Sequence, residues 1–267
     1  MIFFLLMAWA AFSATGQVSP KTAELGWLEL PEFSEDPEHF FVSHYTDEYW
    51  GKQRNYSLFW DQNRQIPIWV AYPLNERLIG HGKRSGAWQY DKFMSARKQP
   101  NLKRTYQEGS VDGYIRGHLC PSNDRMRPGM NEQTFYFTNM APQDPYLNGG
   151  LWAWLEEHVQ RLALAAGEAW VVTGCIDTNQ DNWVTDVTGK HIAVLLRYRD
   201  DASGGDRYEA QAWIVENRSY GFSGFEQKAE ALEVSIDQLE EITGLDLYPN
   251  LLMLIGAEDA AIVEAGL

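Results

Sequence analysis

Arg116-Gly117-His118 sets a guanidinium and an imidazole two residues apart. If the tripeptide is extended, strand alternation sends Arg116 and His118 to one face and Gly117 to the other. An imidazole titrates near neutral pH and can take a proton from an attacking water, a contribution typically on the order of 10²- to 10⁴-fold in rate. A guanidinium beside it can hold phosphate oxygens as their charge grows. Asn139 follows in Phe137-Thr138-Asn139-Met140-Ala141-Pro142-Gln143, then Asn148 in Leu147-Asn148-Gly149-Gly150, then Glu156 and Glu157. Amide and carboxylate oxygens are hard donors that suit Mg²⁺ or Ca²⁺, and a site with few of them leaves water on the metal, as Mg²⁺ prefers. Such a metal neutralises a phosphate and stabilises a leaving alkoxide. Together these side chains meet the needs of phosphodiester hydrolysis without a covalent intermediate. Taken singly, each has a plainer reading: Asn148 as a helix cap, Glu156 as a solvated helix face, Asn139 as a strand end. His39, His44, His81, His158 and His191 read as surface or packing residues. Cys120, two residues after His118, raises the idea of a zinc site, but zinc usually takes three or four such ligands and no Cys-x-x-Cys accompanies it.

For these residues to meet, the segments between them must form particular elements. Residues 113–119 read as a strand that ends near Pro121, and residues 135–140 as a second short strand. Over residues 148–164, Leu151, Leu155, Val159 and Leu162 recur at three- and four-residue steps, which predicts a helix. At ~100° per residue, Glu156 falls ~80° from Asn148 around that helix and Glu157 ~180° away, so Glu156 rather than Glu157 can share a site with Asn148. Residues 56–60 and 67–72 predict a hairpin over Asp61-Gln62-Asn63-Arg64, and residues 191–198 and 208–216 predict another. Residues 169–173 read as a buried strand closed by Gly174. Ser235-x-x-Gln238 is a capping-box pattern, and Thr243-Gly244 ends the helix it opens. Residues 17–48 are polar, with proline and acid scattered through them, and read as an irregular lead; residues 80–113 read as loop. Trp152 and Trp154 suit packing better than base stacking. The sum is an α+β fold with a mostly antiparallel central sheet flanked by helices.

The 267 residues suffice for one large domain or two small ones, and a chain that is 45% hydrophobic and 22% charged is globular rather than disordered. A net charge of −15 argues against a general nucleic-acid binder. The charge is uneven, however. Residues 81–127 carry ten bases against four acids, a net +6 that leaves −21 on the remainder. A basic stretch in an acidic chain fits a local polyanion site; over residues 97–104 a solvated charged loop fits equally well. Residues 1–11 are uncharged and nearly all apolar, too short to span a bilayer, and small residues follow at Ser13, Ala14 and Gly16. That is the layout of a secretory signal peptide, without the usual basic start. The expected organisation is a signal peptide at 1–16, a lead segment at 17–50 and a single domain at 51–267, in a secreted or periplasmic protein without stable membrane insertion. In an exported chain the two cysteines, Cys120 and Cys175, favour a disulfide, although two buried free thiols would look the same.

Three pieces carry a resemblance. Arg116-Gly117-His118, Thr138-Asn139-Met140-x-Pro142-Gln143 and Leu147-Asn148-x-Gly150-x-Trp152-x-x-Leu155-Glu156 occur in the order, and close to the spacing, of the DNA/RNA non-specific endonucleases. The motif of that family is Asp-Arg-Gly-His on a ββα-metal fold. The segment ending Thr243-Gly244-Leu245-Asp246-Leu247-Tyr248-Pro249 also resembles the family, so the likeness runs from about residue 56 to 251. The resemblance implies a ββα-metal nuclease that cuts DNA and RNA with Mg²⁺, or with Mn²⁺ or Ca²⁺ as substitutes. It implies His118 as general base, Asn148 as direct metal ligand and Glu156 as holder of metal-bound water. Asn139 would position the His or the scissile phosphate, Arg116 would contact phosphate, and Arg84 would match a second phosphate-binding arginine. The chain departs from the motif at its leading Asp, which is Ile115 here. That departure, with the acidic net charge, keeps a second expectation open: a catalytically weak nucleic-acid-binding protein on the same fold. Monomer and homodimer both remain open.

Overall fold

The computed structural model describes residues 20–48, 51–103, 106, 113–177, 187–200 and 204–266; the expected signal peptide lies outside them. The strands are β1 (His39–Glu48), β2 (Gly51–Asp61), β3 (Ile66–Leu74), β4 (Ile115–His118), β5 (Met140–Gln143), β6 (Gly167–Asp177), β7 (Val187–Asp200), β8 (Gly205–Glu216) and β9 (Glu233–Val234). The helices are α1 (Pro20–Leu25), α2 (Glu76–Ile79), α3 (Met130–Thr134), α4 (Pro145–Asn148), α5 (Leu151–Ala166), α6 (Phe225–Glu230), α7 (Ile236–Thr243), α8 (Pro249–Ile255) and α9 (Ala257–Ala265). Seven strands form one antiparallel sheet in the order β1-β2-β3-β6-β7-β8-β9, and β4 and β5 form a separate two-stranded ribbon. Among the described residues no helix is long and apolar enough to cross a membrane.

Both faces of the sheet are covered, which explains why its central strands are apolar throughout. On β7, Ile192, Val194 and Leu196 enter a front core with Leu151, Leu155 and Val159 of α5. Ala193 and Leu195 enter a back core with Ile236 and Leu239 of α7, Leu251 of α8, and Leu30 and Phe33 of the lead. The ribbon and α5 lie on the front; the C-terminal helices lie on the back.

Several expected elements need correction. The segment 17–50 is not irregular throughout. It contains α1 and β1, and β1 pairs with β2 from His39↔Asp61 to Glu48↔Gly51, so a boundary at residue 51 cuts a hairpin. Its buried stripe was hidden because it runs Phe40, Val42, His44, ending in a histidine whose Nε2 lies 2.7 Å from Asp91 Oδ2, both side chains fully buried. The strand expected at 135–140 starts later. Phe137–Asn139 is a 3₁₀ turn and β5 begins at Met140, because the Asn139 side chain bonds nearby backbone instead of leaving it to a ladder. The helix expected over 148–164 is two helices. Asp144 caps α4 by accepting from the Tyr146 and Leu147 amides, and Gly149-Gly150 breaks the chain before α5. Gly150 (φ −120, ψ −112) is not helical, and a Cβ there would strike the Tyr146 carbonyl. Cys120 and Cys175 do not join in a disulfide, and burial pushes the Cys120 thiol up to about 12. Cys120 serves as a small apolar residue of the front core.

The capping box forms as its sequence predicts: Ser235 Oγ accepts from the Gln238 amide (3.1 Å), Gln238 Oε1 accepts from the Ser235 amide (3.0 Å), and Gly244 closes α7 at φ 71. Ser235→Ala should therefore cost about 1 kcal/mol of stability in urea unfolding. Because α7 lies on the back, the same variant should keep its full catalytic rate in any assay of the front face.

Candidate active site

The β4–β5 ribbon presents the Arg-Gly-His tripeptide. Its register pairs Ile115↔Gln143, Arg116↔Pro142, Gly117↔Ala141 and His118↔Met140. Alternation puts Arg116 and His118 on one face, and both meet Trp88 there: the guanidinium lies 3.9 Å from the indole centroid and the imidazole centroid 5.4 Å. Gly117 faces the other way, directly over the Gln143 side chain, and a Cβ at 117 would fall on Gln143 Oε1. Glycine is required here by a close approach rather than by backbone conformation.

His118 is 8% exposed, packed edge-on to Phe135 with centroids 5.0 Å apart. Its Nε2 is sealed inside the protein without a hydrogen bond. Burial holds the imidazole down at about 3, and the positive charges of Arg84, Lys190 and Arg116 push the same way. His118 is therefore neutral at every physiological pH. Arg84 is exposed, with its guanidinium 5.3 Å from the Phe135 centroid. Arg116 is half-buried and donates to the backbone oxygens of Leu102 (2.8 Å) and Lys103 (3.4 Å), so its fork is pre-set by the protein.

Asn139 is fully buried and its side chain is spent on backbone. Nδ2 donates to Cys120 O (2.9 Å) and Thr134 O (2.9 Å), and Oδ1 accepts from Cys120 N (2.8 Å). It braces the chain two residues beyond His118 and has no donor left for a phosphate. Asn148 ends α4, half-buried, immediately before the glycine break that leads into α5. The helical arithmetic from Asn148 does not hold across that break; Glu157 is exposed, whereas Glu156 is half-buried within the electrostatic reach of Lys190, Asp124 and Arg84. Burial pushes the Glu156 carboxyl up, and the two cations oppose that shift. Arg84, Arg116, His118 and Glu156 thus share one neighbourhood.

Lys190 of β7 belongs to the same neighbourhood and was not singled out in the sequence. It is fully buried; its Nζ donates to His118 O (2.9 Å) and Gln143 Oε1 (3.1 Å) and sits 3.8 Å from the Trp152 ring centroid. A signal was present: Lys190 continues the apolar stripe Ile192, Val194, Leu196, and a charge on a buried stripe needs a partner. Trp152 is packed in the core and Trp154 stacks on His158 (4.9 Å), so neither is a free platform for bases.

Among the described residues no group of three or more His, Cys, Asp and Glu side chains could hold a metal. That rules against a zinc cage there. A hydrated hard cation asks for less. Glu156, on α5, forms no ion pair among the described residues and takes a side-chain hydrogen bond from Trp152, and Asn148 ends α4 eight residues earlier. The amide of Asn148 and the carboxyl of Glu156 are hard oxygen donors, the chemistry that suits a divalent cation keeping most of its water.

A family model described as DNA/RNA non-specific endonuclease matches residues 42–253. The chain is 28% identical over 215 residues to the mitochondrial nuclease EXOG of Danio rerio, covering 74% of this chain and 60% of that protein. It is 29% identical over 213 residues to a nuclease of Nostoc sp., covering 76% of this chain and 74% of the relative. To mitochondrial endonuclease G of Homo sapiens it is 28% identical over 225 residues, 77% of this chain and 71% of the relative. The chain thus spans about three-fifths of the length of the Danio rerio relative and more of the other two. A chain from the crystal structure of an EndoG/EndoGI complex superposes with a TM-score of 0.62 at 20% identity, covering 78% of this chain and 87% of that one. Mixed helix and sheet around an antiparallel centre is the fold the two share.

The close approach of Gly117 to Gln143 yields a test. Gly117→Ala should destabilise by about 1–3 kcal/mol in urea unfolding, the usual cost of overpacking. Against a Gln143→Gly background, which removes both the Oε1 and the Cβ that the new methyl would meet, Gly117→Ala should cost much less. An undiminished cost in that background would show that the contact is not what demands glycine.

Proposed function

The chain belongs to the DNA/RNA non-specific endonuclease family, and from that membership we propose that it is a divalent-metal-dependent endonuclease. In this reading it cleaves DNA and RNA phosphodiesters by direct attack of water, with His118 as general base. The observation that carries the reading is a neutral imidazole held beside three cations, on a ribbon whose outer face also carries a pre-set arginine.

The chemistry follows from these side chains. A base must be unprotonated before the step, and the surroundings of His118 keep it so. Accepting a proton creates an imidazolium among Arg84, Arg116 and Lys190, which is unfavourable until an anion enters. A phosphate does that: its negative charge offsets the arginines and makes the imidazole a stronger base when substrate is bound. Arg116, stacked on Trp88 with part of its fork tied to backbone, presents its remaining N–H groups to a phosphate with little reorganisation. Arg84, exposed over Phe135, supplies the second cationic contact. Asn139 holds the ribbon end in place. Asn148 and Glu156 would hold the cation, which we take to be Mg²⁺, with Mn²⁺ or Ca²⁺ as substitutes. When bound, that cation would neutralise charge developing on the leaving oxygen. Residues 1–16 would direct export, placing the enzyme in the periplasm or outside the cell.

Plasmid DNA should be nicked and then degraded by the purified protein with Mg²⁺, and EDTA should stop it. His118→Ala should lower kcat by roughly 10²- to 10⁴-fold while oligonucleotide binding persists. Binding without cleavage by the unmodified protein under Mg²⁺, Mn²⁺ and Ca²⁺ would instead mark a nucleic-acid-binding protein.

The pH dependence has a defined sign. A base whose proton affinity is lowered from 6.5 to about 3 keeps its active, neutral form well below pH 6.5. The acid limb of kcat/KM, which reports the free enzyme, should therefore fall below pH 5. The acid limb of kcat should lie at higher pH, because bound phosphate offsets the cations. Coincident limbs near 6.5 would contradict this account.

A further inference from the structure

We propose that Lys190 is a positioning residue for the hydrolytic step, its ammonium fixing the His118 carbonyl from beneath the ribbon and thereby the place of the imidazole above. The proposal rests on the nuclease reading given above.

Lys190 is fully buried on the front face of β7, where the next residues of the stripe are apolar. Burying an ammonium is costly and is tolerated where its donors are satisfied and its charge is offset. One N–H goes to His118 O (2.9 Å) and another to Gln143 Oε1 (3.1 Å), while the ammonium also rests on the Trp152 face at 3.8 Å. The Glu156 carboxylate, one helical turn after Trp152 on α5, acts on it from the same side. Its hydrogen bonds go to the ribbon and its ring contact to the helix that carries Glu156, while Cys175, its partner on β6, also acts on it electrostatically.

A merely structural role explains this poorly. Buried charges joined for stability alone can often be replaced by packed apolar groups at no loss, and the surrounding core offers leucine, valine and tryptophan surface for that purpose. What an apolar residue cannot do is donate to the carbonyl of His118. That bond fixes the peptide at the reacting residue. The bond to Gln143 fixes the side chain that lies under Gly117, so two successive residues of the tripeptide are held from one ammonium. Lys190 therefore sets the height and tilt of the ribbon over the sheet.

Lys190→Met keeps the length and the apolar stem and removes the donors. At saturating Mg²⁺ its kcat should fall on the order of 10²-fold, the size expected when a reacting group is displaced by about 1 Å. KM should stay within about twofold of the original value, because Arg84 and Arg116 are untouched. The ring signals of His118 in NMR should move, while those of the exposed His81 stay. A folded Lys190→Met protein with unchanged kcat overturns the proposal, as does an equal change in kcat and KM. If Lys190→Met does not fold, Lys190→Gln, a shorter neutral donor, takes its place: its kcat should fall only as far as the His118 ring signals move, and moved signals with unchanged kcat, or a fall in kcat with unmoved signals, overturn the proposal. If the unmodified protein cleaves nothing, the nuclease reading fails and not this one; the His118 ring signals then decide, and their constancy in the variant overturns the positioning role.

Discussion

Among the described residues, the ribbon that carries Arg116 and His118 shares no hydrogen-bonded ladder with the seven-stranded sheet below it. Its inward backbone groups are buried and must find partners among side chains, since each one left unpaired costs about 1–3 kcal/mol. Four polar residues meet that demand. Thr173 Oγ1 donates to Leu119 O (3.0 Å), and Lys190 Nζ to His118 O (2.9 Å). Asn217 Nδ2 donates to Pro142 O (3.0 Å) while its Oδ1 accepts from Asp144 N (2.8 Å). Asn139 grips both backbone groups of Cys120. A ladder would have fixed the ribbon by repetition. Individual side chains fix it at chosen points, and those points bracket the tripeptide.

The same arrangement brings charge into the core. Besides Lys190, Arg125 is fully buried, donating to Asn55 O (2.8 Å), Pro73 O (2.7 Å) and Asp124 O (2.7 Å). Asp124 accepts from Tyr72 (3.1 Å) and Gln160 (2.9 Å), and burial raises its carboxyl to about 6. A polar seam thus runs between sheet, ribbon and α5. Low polarisability around it lengthens the reach of each charge. That is how a chain of net charge −15 keeps a strongly cationic environment at one imidazole.

What could be read from the sequence divides along physical lines. Both expected hairpins form, because alternation and turn residues are local signals: β2 with β3, and β7 with β8. The capping box on α7 is likewise complete within four residues. The face shared by Arg116 and His118 follows from strand geometry alone. The misses have a different origin. β1 was obscured because its buried stripe ends in His44, whose partner Asp91 lies 47 residues away. The start of β5 was misjudged because Asn139 answers to Cys120 and Thr134. The Gly149-Gly150 break depends on the contact of Gly150 with the Tyr146 carbonyl. Lys190 is 72 residues from the carbonyl it holds, and no local pattern names that partner.

Ile115 acquires a meaning once the faces of the ribbon are known. It pairs with Gln143 at the end of β4 remote from His118, and alternation puts it on the face of Gly117. That is the underside, where the Gln143 side chain and the buried ammonium of Lys190 lie. A carboxylate at this position would face away from Trp88 and from the face that Arg116 and His118 share. Isoleucine there brings no negative charge beneath the ribbon. Glu156 is the carboxylate that acts on Lys190, and Lys190 adds to the positive field at His118. The underside of the ribbon in this chain is thus cationic, and that charge, with Arg84 and Arg116, adds to burial in holding the imidazole neutral.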